Sequence, residues 1–283
     1  MKDKFGRNID HLRISITQRC NLSCNYCHHE GEFNPGPELS PMEIKEIVEV
    51  FSEMGIRKVK ITGGEPLVRT DILEIVKKII SISGIEEVSM TSNGLLLESL
   101  AADLKRAGLS RINIGCDSMT SLLPKNIQKV KKGLAAVRNA GLDPVKINMV
   151  VLKGINEGEI EEMIDFARDN RVILQLIELI NINNSYYQKH YFPLDSVELE
   201  LDKKAHQART RKMQARKQYF LDGVVVEIVR PNKEGFCLKC PKIRLTSDGR
   251  IKPCLMRQDN LTVFENKDSI YKAFEERCIH AHD

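Results

Sequence analysis

The sequence predicts an α/β fold, a partial (β/α)6 TIM-like barrel followed by a C-terminal extension. Short β-branched runs alternate with segments of helical periodicity over roughly the first two-thirds of the 283-residue chain. Parallel strands are joined by crossover helices, so this alternation indicates a parallel sheet. Six such units are two fewer than a closed eight-stranded barrel contains, so we expect a barrel that is open on one side.

The predicted elements follow in chain order. The clearest helix lies between the first two strands, where Ser40 is the predicted N-cap, Pro41 opens the first turn and Glu43 completes a capping box. Gly55 is predicted to end that helix. The six predicted strands are LRISIT from Leu12, KVKIT from Lys58, EEVSMT from Glu86, RINIGC from Arg111, VKINMVV from Val145 and VILQLIELI from Val172.

The alternation stops near residue 183, where a basic segment begins. We predict that residues 203–217 form a basic helix, either a solvated face or a wall for an anionic ligand such as phosphate groups. A strand, GVVVEIV from Gly223, and a hairpin turning at Asp248-Gly249 follow. The predicted domains are a barrel core, 1–222, and a C-terminal segment, 223–283. Between Asp202 and Asp222 all charged residues are basic: Lys203, Lys204, Arg209, Arg211, Lys212, Arg216 and Lys217.

Composition excludes several classes of protein. The apolar fraction of 42% and charged fraction of 29% are ordinary for a soluble globular protein. No apolar run approaches the roughly 20 residues that span a bilayer, and the N-terminus lacks a signal-peptide core, so we expect a cytoplasmic protein without a membrane role. The net charge of +4 is small, and without a recognisable module we expect no nucleic-acid binding.

The eight cysteines fall into two groups of three, with Cys116 and Cys278 apart. In a cytoplasmic chain such groups indicate metal ligands or reactive thiols rather than disulfides. We interpret Cys116, which closes an apolar strand, as a small core residue. Asp117 beside it is either a cap or a site residue. The groups are Cys20, Cys24 and Cys27 (C-x3-C-x2-C), and Cys237, Cys240 and Cys254 (C-x2-C-x13-C).

Three thiolates suit a four-iron cluster in which one iron stays open to a substrate or cosubstrate. The alternative is a zinc site, which requires a fourth ligand such as His28 or His29. GGEP (Gly63 to Pro66) follows the second predicted strand, and TSNG (Thr91 to Gly94) follows the third. Because the carboxyl ends of parallel strands share one rim, these motifs and the first cysteine group are expected to form one site.

These motifs resemble those of the radical S-adenosylmethionine (SAM) enzymes, with Tyr26 before the third cysteine and GGEP after the second strand. The segment FCLKCPKIRLTSDGRIKPCL is similar to the auxiliary-cluster motif of the GTP 3',8-cyclases, in their archaeal branch. That resemblance covers nearly the whole chain. It implies a lyase of molybdenum-cofactor biosynthesis with two 4Fe-4S clusters, one on each cysteine group, and SAM. It also implies a C-terminal auxiliary-cluster extension.

The resemblance also implies a reaction and a set of contacts. Reductive cleavage of SAM gives a 5'-deoxyadenosyl radical, which takes hydrogen from C3' of GTP before the ribose carbon closes onto C8 of guanine. The product is (8S)-3',8-cyclo-7,8-dihydroguanosine 5'-triphosphate, and no protein side chain is implied as catalytic. The implied contacts with SAM are Tyr26, Gly64, Gly115 and Ile180, and those with GTP are Arg13, Lys60, Thr91, Lys146, Lys242 and Arg244.

The implied partners are an electron donor such as ferredoxin or flavodoxin and a downstream cyclic pyranopterin synthase, and a homodimer is left open. The chain departs from the better-known bacterial pattern. Gln175 and Lys242 stand where that pattern has arginines, Gly115 replaces a serine and Ile180 a methionine. A Gly-Gly tail is replaced by CIHAHD, which leaves open whether GTP is the substrate. The basic segment could supply the missing phosphate contacts, with Arg209 and Arg211 as candidates.

Two other functions stay open. One is a radical SAM enzyme with another substrate, such as a peptide or another nucleotide, whose auxiliary cluster relays electrons; Cys278 as a fourth ligand would favour it. The other is a non-catalytic metal-binding scaffold, which would not need GGEP. Individually, Arg13 and Lys60 could also be ordinary salt-bridged barrel residues.

Overall fold

The predicted parallel sheet is present in a computed structural model of the chain, which describes residues 1–120, 123–125, 127–181, 183–231, 233, 235–257 and 261–277. The six strand positions predicted from the sequence are confirmed to within about two residues. The strands in the described residues are β1 (His11–Ser15), β2 (Lys58–Thr62), β3 (Glu87–Ser92), β4 (Arg111–Gly115), β5 (Val145–Val151), β6 (Ile173–Glu178), β7 (Gln207–Thr210), β8 (Lys217–Leu221), β9 (Val224–Val229), β10 (Lys242–Leu245), β11 (Arg250–Lys252) and β12 (Thr262–Val263).

The strands form one sheet in the order β12-β11-β10-β1-β2-β3-β4-β5-β6-β9-β8-β7. Strands β1 to β6 are neighbours in chain order and parallel, and β10 and β9 extend them in parallel at the two edges. Within the described residues β9 and β10 do not pair, so the barrel is open there, as predicted. The predicted hairpin at Asp248-Gly249 joins β10 and β11. The predicted domain division at residue 222 stays a prediction.

Helices cover the outer face of the sheet. The capping box of α1 is confirmed: Ser40 Oγ accepts from the Glu43 amide at 3.3 Å, and Glu43 Oε2 accepts from the Ser40 amide at 2.7 Å. Gly55 follows with a φ of +102°, a conformation that glycine adopts readily. The described helices are α1 (Pro41–Glu53), α2 (Ile72–Ile80), α3 (Leu97–Arg106), α4 (Ile127–Asn139), α5 (Ile160–Asp169), α6 (Asn184–His190), α7 (Asp195–Lys204) and α8 (Lys267–Glu275).

The prediction of a basic helix over residues 203–217 is wrong. Helix α7 ends at Lys204, and the segment continues as the antiparallel hairpin of β7 and β8, which joins the sheet edge through β9. Thr210, Tyr219 and Phe220 favour strand conformation, and Tyr219 is fully buried when β8 pairs with the apolar β9. Strand pairing with β9, rather than the local run of charges, therefore determines the conformation of this segment.

Side chains alternate between the two faces of each strand. Leu12 and Ile14 on β1 are buried against the helices, whereas Arg13 between them faces the barrel interior. Arg13 is in register with Lys60 of β2 and with Arg244 of β10. A closed barrel fills its interior with branched apolar side chains, but these strands place cations there. Such cations need counter-charges, from the protein or from a ligand, because buried unpaired charges are costly.

Candidate active site

Two adjoining cavities lie in the barrel interior and at the carboxyl ends of its strands, with volumes of about 340 Å³ and about 150 Å³. Both are lined by Arg13, Ile180 and Lys242, so the residues of the two cavities form one continuous region. Every site residue predicted from the sequence lies in this region. The larger cavity is lined by Cys20, Cys24, Cys27, Tyr26, Gly64, Gly115, Ile180, Arg13, Lys60, Thr91, Lys146 and Lys242, and the smaller by Cys237, Cys240, Cys254 and Arg244.

The first cysteine group lies in the loop after β1, held against the GGEP segment. The Gly64 amide donates to Thr17 O at 2.7 Å, and the Glu65 amide donates to Arg19 O at 2.9 Å. A Cβ atom at Gly64 would lie 2.3 Å from Arg19 O, so only glycine fits at this contact. The glycines therefore fix the chain that leads into Cys20 and leave the three free thiols facing the cavity.

The Glu65 carboxylate links the rims of β2 and β3. Its Oε2 accepts from the Asn93 amide at 2.6 Å, and its Oε1 accepts from Ser92 Oγ at 2.7 Å. The side chain is 1% exposed, and burial raises its pKa above the usual range despite these donors. The predicted convergence of GGEP and TSNG on one rim is confirmed. Glu65 works as an anchor in this arrangement, because its oxygens are engaged by the protein itself.

Asp117 connects the first cysteine loop to β4 and β5. Its Oδ2 accepts from Tyr26 Oη at 2.6 Å and pairs with Lys125 Nζ, and its Oδ1 accepts from the Val150 amide at 2.7 Å. The space beside Gly115 is filled by Lys125, whose Nζ lies 2.8 Å from a Cβ built at that glycine. The sequence did not point to Lys125, which reaches this spot from a loop with no motif of its own.

Glu30 lies between two arginines that neighbour each other across β1 and β10. Its Oε1 accepts from Arg13 Nη2 at 2.5 Å, and its Oε2 accepts from Arg13 Nε at 2.8 Å and from Arg244 Nη1 at 2.7 Å. Burial raises the pKa of Glu30, but the two guanidinium groups outweigh burial and hold it well below its usual range. Arg13 is therefore salt-bridged, as the ordinary alternative proposed. One carboxylate is nevertheless shared by two cations.

A second shared carboxylate, Glu227 of β9, is fully buried. Its oxygens pair with Lys146 Nζ at 2.9 Å, Arg216 Nη1 at 3.1 Å and Arg211 Nη1 at 3.2 Å. Gln175 Nε2 also donates to Glu227 Oε1, at 2.6 Å. Burial raises the pKa of Glu227, but the surrounding cations lower it far more. No pattern in the sequence indicates Glu227, which lies in an otherwise apolar strand.

Within the described part of the chain, Lys60 and Lys242 have amide partners and no carboxylate partner. Lys60 Nζ donates to Asn113 Oδ1 at 3.2 Å, and Lys242 Nζ donates to Gln214 Oε1 at 3.0 Å. Burial, and then the neighbouring Arg111 and Arg13, lower the pKa of Lys60 well below its usual range. For Lys60 the ordinary salt-bridge alternative is wrong within the described residues.

The second cysteine group is held by contacts from both ends of the described chain. Arg7 Nη1 donates to Cys237 O at 2.7 Å, and Arg277 Nη2 donates to Cys240 O at 2.9 Å. Asp3 Oδ2 joins the two arginines, accepting from Nε of each at 2.7 Å and 2.9 Å. Cys278 lies outside the described residues. Cys116 is fully buried in the core with its pKa raised to about 12 by burial, which confirms its interpretation as a core residue.

The chain matches the family model of the radical SAM superfamily over residues 14–167 and that of Molybdenum Cofactor Synthesis C over residues 172–276. Three archaeal relatives carry the name probable GTP 3',8-cyclase. That of Archaeoglobus fulgidus is 42% identical and aligns over 93% of this chain and 91% of its own length. That of Methanosarcina mazei is 46% identical (92% and 81%), and that of Methanococcus vannielii 43% identical (99% and 97%). This chain belongs to the radical SAM superfamily.

Solved radical SAM structures share the fold of this radical SAM protein. Streptococcus suis SuiB bound to precursor peptide SuiA superposes with a TM-score of 0.68 at 17% identity, over 96% of this chain and 64% of SuiB. The protein anSMEcpe with bound AdoMet gives 0.64 at 16% identity, over 96% and 82%. At such identities the likeness concerns the fold alone. No helix among the described residues is long and apolar enough to cross a membrane.

Proposed function

We propose that this radical SAM protein is a GTP 3',8-cyclase, a lyase that catalyses the first step of molybdenum-cofactor biosynthesis. The observation that carries the proposal is a cavity lined by buried cations that joins the two cysteine groups. Relatives named probable GTP 3',8-cyclase, at 42–46% identity over most of the chain, support it. The peptide-modifying alternative draws only on shared fold, since those structures are 17% identical or less.

In this proposal each cysteine group holds one 4Fe-4S cluster. The free thiols of Cys20, Cys24 and Cys27 suit the first, because three ligands leave one iron for SAM. When bound, the cluster and SAM supply reductive cleavage and the radical chemistry. Gly64 keeps the approach open, and the Tyr26–Asp117 hydrogen bond fixes the aromatic ring beside the cavity. Gly115 and Ile180 line the same cavity and complete the proposed SAM contacts.

GTP is proposed to lie between the cysteine groups, with its guanine at the second group, Cys237, Cys240 and Cys254. Thr91 and five cations that line the cavities would contact the nucleotide. We call these cations the cationic wall: Arg13, Lys60, Lys146, Lys242 and Arg244. These side chains orient the ribose and neutralise phosphate charge. An electron donor such as ferredoxin or flavodoxin, a downstream cyclic pyranopterin synthase and a homodimer complete the proposal.

The test is an anaerobic product analysis. The protein reconstituted with iron and sulfide, then supplied with dithionite, SAM and GTP, is expected to yield 5'-deoxyadenosine together with a cyclised isomer of GTP by mass spectrometry. ATP serves as the control nucleotide and is expected to stay unchanged. If 5'-deoxyadenosine forms while GTP is unchanged, the cyclase proposal is wrong and another substrate is required. If no 5'-deoxyadenosine forms, the radical chemistry itself is wrong.

GTP affinity is expected to fall as pH rises. Burial lowers the pKa of Lys146 to about 8, so this lysine loses its proton as the pH rises through about 8 in the empty cavity, and burial also lowers the pKa of Lys60 well below its usual range. A bound polyphosphate raises these pKa values, and binding above the unliganded pKa must take up protons. Each proton taken up weakens binding by up to about tenfold per pH unit. The charged groups facing the two lysines are Glu227, Arg211, Arg216, Arg111, Arg13 and Lys242.

Calorimetry between about pH 7 and pH 8.5, where phosphate is mainly ionised, measures this linkage. Titrations in buffers of different ionisation enthalpy are expected to show proton uptake on binding GTP. Guanosine, which lacks phosphate, is the control and is expected to show less uptake. Affinity that stays constant or rises with pH would contradict the expectation.

A further inference from the structure

The turn between β7 and β8 brings two arginines to the large cavity. Arg211 and Arg216 both line it and both reach Glu227, although neither was among the GTP contacts implied by the family resemblance. Arg216 is largely buried, with its side chain 14% exposed, and Arg211 is 34% exposed. Arg209 of the same hairpin behaves differently. Its guanidinium lies 5.0 Å from the Phe220 ring centroid and donates to Gln218, and Arg209 does not line either cavity.

Among the residues that the structure describes, the charges around Glu227 do not balance. Lys146, Arg211 and Arg216 share this single carboxylate, and Gln175 and Gln218 add only neutral donors. One ion pair would satisfy a buried carboxylate, whereas extra cations beside it cost desolvation energy without a counter-charge. Lys60, which also lines the larger cavity, has only an amide partner among the described residues. The arrangement therefore suits an incoming ligand with several negative charges.

The hairpin turn is tied to the second cysteine group by Gln214. The backbone amide of Gln214 donates to Lys239 O at 2.8 Å. Its side-chain Oε1 accepts from Lys242 Nζ at 3.0 Å and from Arg216 Nη2 at 2.5 Å. Gln214 is 6% exposed, so these bonds are shielded from water. The turn thus spans the open side of the barrel, from β9 to the segment before β10. It places the arginine pair between the two cysteine groups.

We infer that Arg211 and Arg216 bind the triphosphate of GTP and determine the preference for a nucleoside triphosphate, with Glu227 as the positioning residue that aims both guanidinium groups. This inference rests on the proposed function. The planar forks of two arginines match phosphate oxygens in pairs, which a lysine cannot do. The uncharged Gln175 donates to Glu227 and leaves the two arginines as the phosphate-binding forks on this side of the cavity.

The experiment measures binding of GTP, GMP and guanosine to the anaerobically reconstituted protein by equilibrium dialysis. The variants are Arg211→Gln and Arg216→Gln, with Arg209→Gln as the matched control from the same hairpin. We expect each cavity variant to weaken GTP binding by about 10- to 100-fold and guanosine binding much less. The ratio of GTP affinity to guanosine affinity is therefore expected to fall. Arg209→Gln is expected to keep the wild-type ratio. Arg216→Lys is expected to recover part of it.

The outcomes separate this inference from the proposed function. If wild-type protein binds neither GTP nor guanosine, the proposed function fails and the inference with it. If wild-type protein prefers GTP and the Arg211 and Arg216 variants keep that preference, the inference alone is wrong. Equal losses for GTP and guanosine would also overturn it, because they indicate a general structural role. Thermal unfolding midpoints and iron content measured beside each variant show whether it is folded and loaded.

Discussion

Replacement of Cys24 by alanine is expected to abolish production of 5'-deoxyadenosine from SAM, with or without GTP. Cys24 is the middle residue of the first group and lines the cavity with Cys20 and Cys27. In the proposed function Cys24 is one of three cluster ligands, so its loss would leave a four-iron cluster with two open irons, and such a cluster is expected to be lost or degraded. We expect activity to fall by at least about 100-fold, the upper range for changes in a metal's surroundings.

Iron content gives a readout that does not depend on turnover. In Cys24→Ala about half of the wild-type iron and sulfide should remain, because the second group is intact. The matched control is Cys116→Ala, which removes a buried thiol outside both groups and should keep wild-type iron content. Full iron content together with SAM cleavage in Cys24→Ala would show that this cysteine is not a ligand.

The sequence predicted the parts of the fold that depend on local patterns. Strands were predictable because apolar and polar side chains alternate along KVKIT and its counterparts, and α1 because its capping box is local. The spacing of the first cysteine group, from Cys20 to Cys27, is also a local pattern and was predictable for the same reason. The hairpin of β7 and β8 was predicted wrongly, because a charge run does not reveal the strand to which it will pair. Its conformation depends on contact with β9.

Long-range electrostatic partners were out of reach of the sequence. Glu30 meets Arg244 across 214 positions, and Asp3 meets Arg277 across 274. Inward cations on the strands could be identified individually, but their counter-charges come from loops and edges whose placement only the folded chain defines. Glu227 is the clearest case, since a single acid in VVVEIV resembles an ordinary surface position. Its complete burial reveals its role in gathering cations.

The two shared carboxylates have a common consequence for the proposed reaction. Glu30 gathers Arg13 and Arg244, and Glu227 gathers Lys146, Arg211 and Arg216. Each carboxylate holds its cations in a fixed direction before any ligand arrives, so less conformational entropy is lost on binding. Each also leaves positive charge in excess. A peptide backbone offers no matching charge, whereas a triphosphate does, and this favours a nucleotide over a peptide as substrate.

Replacement of Cys240 by alanine is expected to separate SAM cleavage from GTP cyclisation. Cys240 belongs to the second group, whose backbone accepts hydrogen bonds from Arg7 and Arg277. This group is far in sequence from the first group. The variant should keep about half of the iron and still release 5'-deoxyadenosine under dithionite. Formation of the cyclised product should fall by at least about 100-fold, because the guanine loses its proposed iron contact. The same reconstitution and mass spectrometry measure both products.

The matched comparison is Cys278→Ala, which tests whether the second cluster has three protein ligands or four. If the second cluster has three protein ligands, the Cys278→Ala variant keeps its second-cluster iron and its cyclisation activity, whereas the Cys240→Ala variant loses both. One iron of the wild-type cluster is then open to guanine. If both variants lose the second cluster, the cluster is fully ligated by protein and cannot bind a substrate. GTP would then have to be held by the cationic wall alone, and an electron-relay role would be favoured. Normal cyclisation by Cys240→Ala would contradict the proposed role of the second group altogether.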